Sequence, residues 1–335
     1  MTTAARWPSS ASPAFQEPTW DLRLQCPQCG DALEQVAAGD AVRGCCLRCP
    51  GCLFLLPNEN GIWKALPPDR ESYFERFIKE YQAVRAAEGR GSQRSEYYLA
   101  LPYRDLSGRN ESQWAIRART FQYFENRILP AIEAAHPVGM KILDLGGGNG
   151  WLSYRLALRE HRPAAVDLLT NSQDGLGAAI HFERGLPVLF PRFQAELDRL
   201  PFADGQFDLA IFDASFHYSE DYGRTLGEAI RCLRNAGTVI IADTAWYPNN
   251  ESGQRMLAER RQAFIAQYGF ASDSVRSLEY LTDERLALLE KRFRLHWKIY
   301  SPFYGFRWAM RPWLAKLRGR REPSQFRIYV AEIEK

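Results

Sequence analysis

The chain has 335 residues, 46% of them apolar, which is enough for one large domain or two to three smaller ones with buried cores. No apolar run approaches the roughly 18 residues of a membrane-spanning helix, and the N-terminus lacks the apolar block of a secretory signal, so a cytoplasmic location is expected. The net charge of +3 hides an asymmetry: residues 291–327 carry eleven Lys or Arg against the single acid Glu322, about +10, leaving about −7 for the rest.

Residues 1–20, rich in Ser, Pro and Ala, read as a disordered leader. Residues 21–66 then hold six of the seven cysteines. Cys26 with Cys29, and Cys49 with Cys52, form two CxxC pairs separated by nineteen residues. Thiolates two residues apart on a tight knuckle point at one ion, and two knuckles complete the closed Cys₄ site of structural zinc. Cys46 with Cys49 is a second possible pair, with Cys45 beside it. The alternative is that these cysteines are small core residues without metal. Without a secretion signal, metal is favoured over disulfides.

Residues 71–88 place Phe74, Phe77, Ile78, Tyr81 and Val84 on one helical face before GRGS breaks the pattern. A second helix is expected from Asn110, with Gln113 completing a capping box, through Trp114, Ala118, Phe121 and Ile128 to a stop near Pro130. With no strands beside them, residues 67–136 read as a helical cover for the domain that follows, 137–335. There, short apolar runs alternate with helices: MKILDL, AAVDLL, PVLFPRF, FDLAIFD and GTVIIAD, joined by helices at 151–159, around AAIHFE and at 221–234. This pattern argues for an α/β fold with a doubly wound, mostly parallel sheet covered on both faces. A helical insert, 250–292, follows. RLHWKIYS and SQFRIYVAEI then finish the sheet as an antiparallel pair around a basic aromatic insert, 301–324.

The glycine loop in KILDLGGGNGWL carries the strongest chemical signal. A Walker loop needs Lys and Ser or Thr after its last glycine, but Trp151 and Leu152 follow Gly150. A dinucleotide fingerprint starting at Gly146 needs glycine at 151, where Trp151 sits. What remains is Asp144 at a strand tip followed by Gly146, Gly148 and Gly150 at alternate positions. The glycines let the backbone approach a ligand closely. Seventeen residues beyond Gly150, Asp167 ends the next strand, where a carboxylate can bond both hydroxyls of a ribose. Ribose without pyrophosphate, beside an acid that tolerates a cationic group, suggests S-adenosylmethionine.

Over about 139–243 the chain resembles the class I S-adenosylmethionine-dependent methyltransferases, most closely their "type 11" group. ILDLGGGNG resembles their first motif, AELDRLPFADGQFDLAIFDASFHY the segment leading into the fourth strand, and EAIRCLRNAGTVIIAD the helix, turn and fifth strand. The resemblance implies a seven-stranded sheet. It also implies cofactor contacts from Asp144, Gly146, Gly148, Gly150, Asp167, Leu168, Glu196, Leu197 and Asp213, with Glu196 as the acid facing adenine. Trp114 and Arg117 could close over the amino-acid end of the cofactor, or serve only packing and solvation. LFLLPNENGIW resembles the strand and turn that close short zinc ribbons at the start of some methyltransferases, which favours Cys26, Cys29, Cys49 and Cys52 as the zinc ligands.

Methyl transfer from a sulfonium is an in-line displacement driven mostly by alignment and a dry site, with a base needed only if the acceptor must lose a proton early. DASFHYSED offers Asp213, His217, Tyr218 and Glu220 at the acceptor side. His217 is a candidate base, with packing as its other reading, and Asp243 at the fifth strand tip is a second candidate. In the insert SPFYGFRWAMRPWLAKLRGRREP, aromatics alternate with cations. It could stack on nucleic-acid bases, rest on an anionic membrane with Trp308 and Trp313 at headgroup level, or pack onto the helical cover. The favoured reading is a methyltransferase acting on a small-molecule or lipid-like acceptor. The alternatives are an RNA methyltransferase and a catalytically silent cofactor-binding scaffold.

Overall fold

The computed structural model describes residues 21–36, 46–136 and 139–334; the expected leader and Cys45 lie outside them. The cysteine unit supplies β1 (Glu34–Gln35), β2 (Cys46–Arg48), β3 (Leu55–Glu59) and β4 (Ile62–Lys64). The cover supplies α1 (Pro68–Ala87), α2 (Ser95–Ala100), α3 (Glu111–Tyr123) and α4 (Leu129–Ala135). Then come β5 (Lys141–Leu145), α5 (Trp151–Ala157), β6 (Arg162–Asp167), β7 (Arg192–Gln194), β8 (Phe207–Asp213), α6 (Tyr222–Cys232) and β9 (Leu233–Ala242). The chain ends with α7 (Asn250–Tyr268), α8 (Asp283–Phe293), β10 (Lys298–Tyr300), α9 (Phe306–Ala309), α10 (Arg311–Leu317) and β11 (Ile328–Glu332).

Seven strands form the doubly wound sheet in the order β7-β6-β5-β8-β9-β11-β10. The first five are parallel, and β11 is antiparallel to both its neighbours. Alternation along β5 sends Leu143 and Leu145 into one apolar layer and Ile142 into the other. Leu226 of α6 and Leu289 of α8 cover the first layer; Phe121 of α3 and Leu152 of α5 cover the second. The chain winds outward from β5 to β7, then returns to β8. This reversal leaves a crevice at the C-terminal ends of β5 and β8, the position where open α/β sheets bind ligands. Among the described residues no helix is long and apolar enough to cross a membrane.

The cysteine unit is not a separate bead. β4 pairs in parallel with β7, Ile62 opposite Arg192 and Lys64 opposite Gln194, which extends the sheet to eleven strands. Cys26, Cys49 and Leu56 lie in the same apolar layer as Phe193 and Phe202. A bare β7 edge would be a template for association, and the ribbon covers it.

Local expectations are refined at four points. The second cover helix continues past Pro130: a wide π turn, Phe124–Ile128, leads into α4, whose first turn takes Pro130 where no N–H is needed. Asn110 forms no capping box; its side chain donates to the Glu88 carbonyl at 3.2 Å, and Asp105 accepts the Asn110 N–H at 2.6 Å. The AAIHFE segment is a 3₁₀ helix, Leu176–Arg184, and the helical insert is split into α7 and α8 by an irregular stretch at 269–282.

Candidate active site

Beyond β5 the chain turns through Gly146 at φ +78°. A Cβ at Gly146 would run into the Ser215 side chain, whose hydroxyl donates to the Leu145 carbonyl at 2.5 Å. Only glycine combines this left-handed backbone with that close approach. Asp144 is buried and accepts from Ser153 Oγ at 2.7 Å. Burial pushes its carboxyl up to about 7 against the Ser153 bond, and the neighbouring Asp167 adds to the rise.

Asp167, at the end of β6, is fixed by two backbone donors: the Gly148 N–H to Oδ2 and the Leu169 N–H to Oδ1, each at 2.8 Å. Burial raises it to about 6, with the two bonds opposing. A carboxylate offers about four lone-pair sites, so about two remain for hydroxyl donors.

A cleft of about 860 Å³, open mouth included, runs along these strand tips. Asp144, Gly146, Gly148, Asp167, Leu168 and Leu197 line it on one side. Gly150 stands back from the cleft and starts α5; a Cβ there would meet the Phe190 ring at 2.8 Å. Glu196 faces away. Arg70 grips it with Nε to Oε1 at 3.0 Å and Nη2 to Oε2 at 2.7 Å. At this position Ala195 and Leu197 line the cleft, and Glu196 does not.

Across the cleft stand Asp213, at the tip of β8, and Arg117, from α3. Burial and the charge of Asp243 push Asp213 up to about 8, with Arg117 opposing. Asp243 sits behind it, just past β9, and accepts from Thr120 Oγ1 at 2.6 Å. Its Oδ2 is buried without a hydrogen-bond partner. Trp114 is likewise set back, edge-on to Trp151 at 6.1 Å and under the Arg117 guanidinium at 5.1 Å. His217 is outside the cleft lining. Its ring packs on Tyr218 at 4.2 Å, its Nδ1 is buried without a partner, and burial pushes it down to about 4. A weak base set off the cleft does not fit the role expected for it.

Sequence reasoning missed one wall. Phe77, Tyr81 and Arg85 of α1 enter the cleft beside Tyr218, with Tyr81 and Phe77 lying 5.8 and 6.2 Å from the Tyr218 ring. Arg85 pairs with Asp174, which also lines the cleft. The four-residue spacing of Phe77, Tyr81 and Arg85 marks a shared helical face. In the sequence Phe77 and Tyr81 lie on the apolar face of the cover helix, and nothing there links Arg85 or Asp174 to the cleft.

At the far edge of the sheet, the thiols of Cys26, Cys29, Cys49 and Cys52 all lie within 4.8 Å of one another. Cys26 and Cys52 are 3.5 Å apart, and Cys29 and Cys49 are 3.4 Å apart. Zinc–sulfur bonds of about 2.3 Å make a tetrahedron with edges of about 3.8 Å, so the cluster could hold such an ion. Cys46 directs its thiol to the Leu47 carbonyl at 3.6 Å instead.

Residues 143–241 match the family described as "Methyltransferase domain". The chain is 32% identical over 102 residues to Sarcosine/dimethylglycine N-methyltransferase of Halorhodospira halochloris, covering 30% of this chain and 37% of that protein. It is 30% identical over 148 residues to Demethylmenaquinone methyltransferase of Thermus thermophilus, covering 43% of this chain and 64% of that protein. It thus spans less than two thirds of the length of either relative. A solved structure of Burkholderia thailandensis 1,6-didemethyltoxoflavin-N1-methyltransferase with bound S-adenosylhomocysteine matches at a TM-score of 0.46 and 14% identity, over 90% of this chain and 100% of that one.

Proposed function

We propose that this chain, whose residues 143–241 are a class I S-adenosylmethionine-dependent methyltransferase domain, moves a methyl group onto a small-molecule acceptor. The observation that carries this reading is Asp167, held rigidly by the Gly148 and Leu169 N–H groups at the mouth of a glycine turn, with lone pairs left for ribose hydroxyls. S-adenosylmethionine, when bound, supplies a sulfonium methyl. Of the cleft residues, Ala195 and Leu197 would flank its adenine, and Asp144 and Arg117 would hold its amino-acid end. Phe77, Tyr81, Trp151 and Tyr218 wall the acceptor side with aromatic surface, which excludes water and suits a compact acceptor better than a nucleic-acid groove. Asp213, lifted by burial and by Asp243, exchanges a proton with the acceptor near neutral pH. The four ribbon thiols would hold zinc with no position left open, so the metal would be structural and would brace the β4–β7 edge.

Asp167→Ala is expected to weaken S-adenosylmethionine binding at least about 100-fold in calorimetry, because hydrogen bonds to a charged group are lost. Unchanged affinity would overturn the ribose assignment. With radiolabelled cofactor, label should pass to a small-molecule extract; label in RNA alone would refute the acceptor class. Metal analysis should find about one zinc per chain, lost on Cys29→Ser together with thermal stability. Metal-free protein of unchanged stability would remove the zinc.

A further inference from the structure

Between β10 and β11 the chain turns five bulky apolar side chains outward. Phe303, Phe306, Met310, Trp313 and Leu317 are 62%, 83%, 45%, 58% and 70% exposed. Phe306, Met310, Trp313 and Leu317, spaced four, three and four residues apart, form one stripe along α9 and α10, and Phe303 packs edge-on against Phe306 at 5.3 Å. Residues 301–321 contain six Lys or Arg and no Asp or Glu, and Arg307, Lys316, Arg318 and Arg320 are exposed.

The stripe is a built face. Trp308 turns inward, stacking on Phe326 at 5.5 Å and packing on Tyr304 at 5.4 Å. Tyr304 is buried, and its hydroxyl lies 2.9 Å from Thr120 Oγ1, which also donates to Asp243. Arg119 donates to the Tyr304 carbonyl. The insert is therefore anchored to the acceptor wall while its apolar side faces water.

We propose that residues 303–320 dock the protein peripherally on an anionic lipid surface. Cations without interspersed acids complement phosphate headgroups, while the apolar stripe enters the interfacial layer. A second copy would bring two strongly cationic faces together. Single-stranded RNA would use the cations and rings but leave Met310 and Leu317 in water. The proposal stands apart from methyl transfer, so its test reads docking alone.

The test is cosedimentation with phosphatidylcholine vesicles, with and without phosphatidylglycerol. The full chain should sediment with the anionic vesicles and not with the neutral ones, with binding falling as salt rises. Phe306→Glu combined with Trp313→Glu should reduce partitioning at least about tenfold. Lys316→Glu combined with Arg318→Glu should cost about fivefold per cation removed. Both variants should keep S-adenosylmethionine affinity and far-ultraviolet circular dichroism, which excludes misfolding as the cause. The proposal is overturned by no sedimentation at low salt, by equal sedimentation of wild type and folded variants, or by tighter binding to single-stranded RNA than to vesicles. It is equally overturned by a lipid-free dimer that the first variant dissolves.

Discussion

The two walls of the cleft are built on opposite principles. On the β5–β6 side every carboxylate has a short-range partner: Ser153 on Asp144, and the Gly148 and Leu169 N–H groups on Asp167. On the β8–β9 side, Asp243 keeps one buried oxygen unpartnered, as does the neighbouring Thr244 hydroxyl, and Asp213 shares its dry surroundings with a second acid. A satisfied network is rigid and suits a ligand of fixed shape; a partly satisfied one holds charge that depends on what binds there. On the function proposed above, the first wall would take the constant cofactor and the second would set the acceptor chemistry.

The sharpest way to break this contrast is to force the walls apart. Gly146 is where they touch, since its α-carbon faces the Ser215 side chain at positive φ. Gly146→Ala should destabilise the fold by about 3 kcal/mol, combining left-handed strain with overpacking. Gly148→Ala has the strain but no atom nearer than 3.8 Å, and should cost about 1 kcal/mol. Urea unfolding of the two variants measures the difference. Equal costs would mean that the walls are not held in register at Gly146.

A smaller effect separates the walls by pH. Asp213 is raised from its ordinary value of 3.8 to about 8, so the folded state retains a proton that the unfolded chain has released. Stability should therefore decline as pH rises through that window, by up to about 1.4 kcal/mol per pH unit, and level off above it. Asp213→Asn should flatten the slope between pH 7 and 8 in thermal unfolding. A slope that survives the substitution would assign the proton to another group.

Legibility in the sequence followed the range of the interactions. The glycine turn, Asp144 and Asp167 are strand-tip features whose partners lie within about twenty residues, so spacing alone located them. The sequence offers no sign that Glu196 is held outside the cleft lining by Arg70, 126 residues away. The β4–β7 pairing likewise joins segments with no shared local pattern. The insert was legible as basic and aromatic, but only the fold separates inward Trp308 from outward Trp313. DASFHYSED follows β8 into the cleft, where the 3₁₀ turn Phe216–Tyr218 sets Tyr218 in the lining and His217 outside it.

That turn gives the smallest expected effect. A positioned general base contributes about 10²–10⁴-fold, so if His217 were that base, His217→Gln would abolish most turnover. Set off the cleft and lowered to about 4, it is neutral across the working range, and the substitution should change turnover less than about threefold with no shift of the pH profile. Its trace should appear in stability instead. A histidine whose folded value lies below its ordinary 6.5 costs stability as pH falls from there toward 4, opposite in sign to Asp213. His217→Gln should therefore soften acid unfolding between pH 6 and 4.5, leaving the slope above pH 7 to Asp213. A hundredfold loss of turnover would instead move the proton-transfer step from Asp213 to His217.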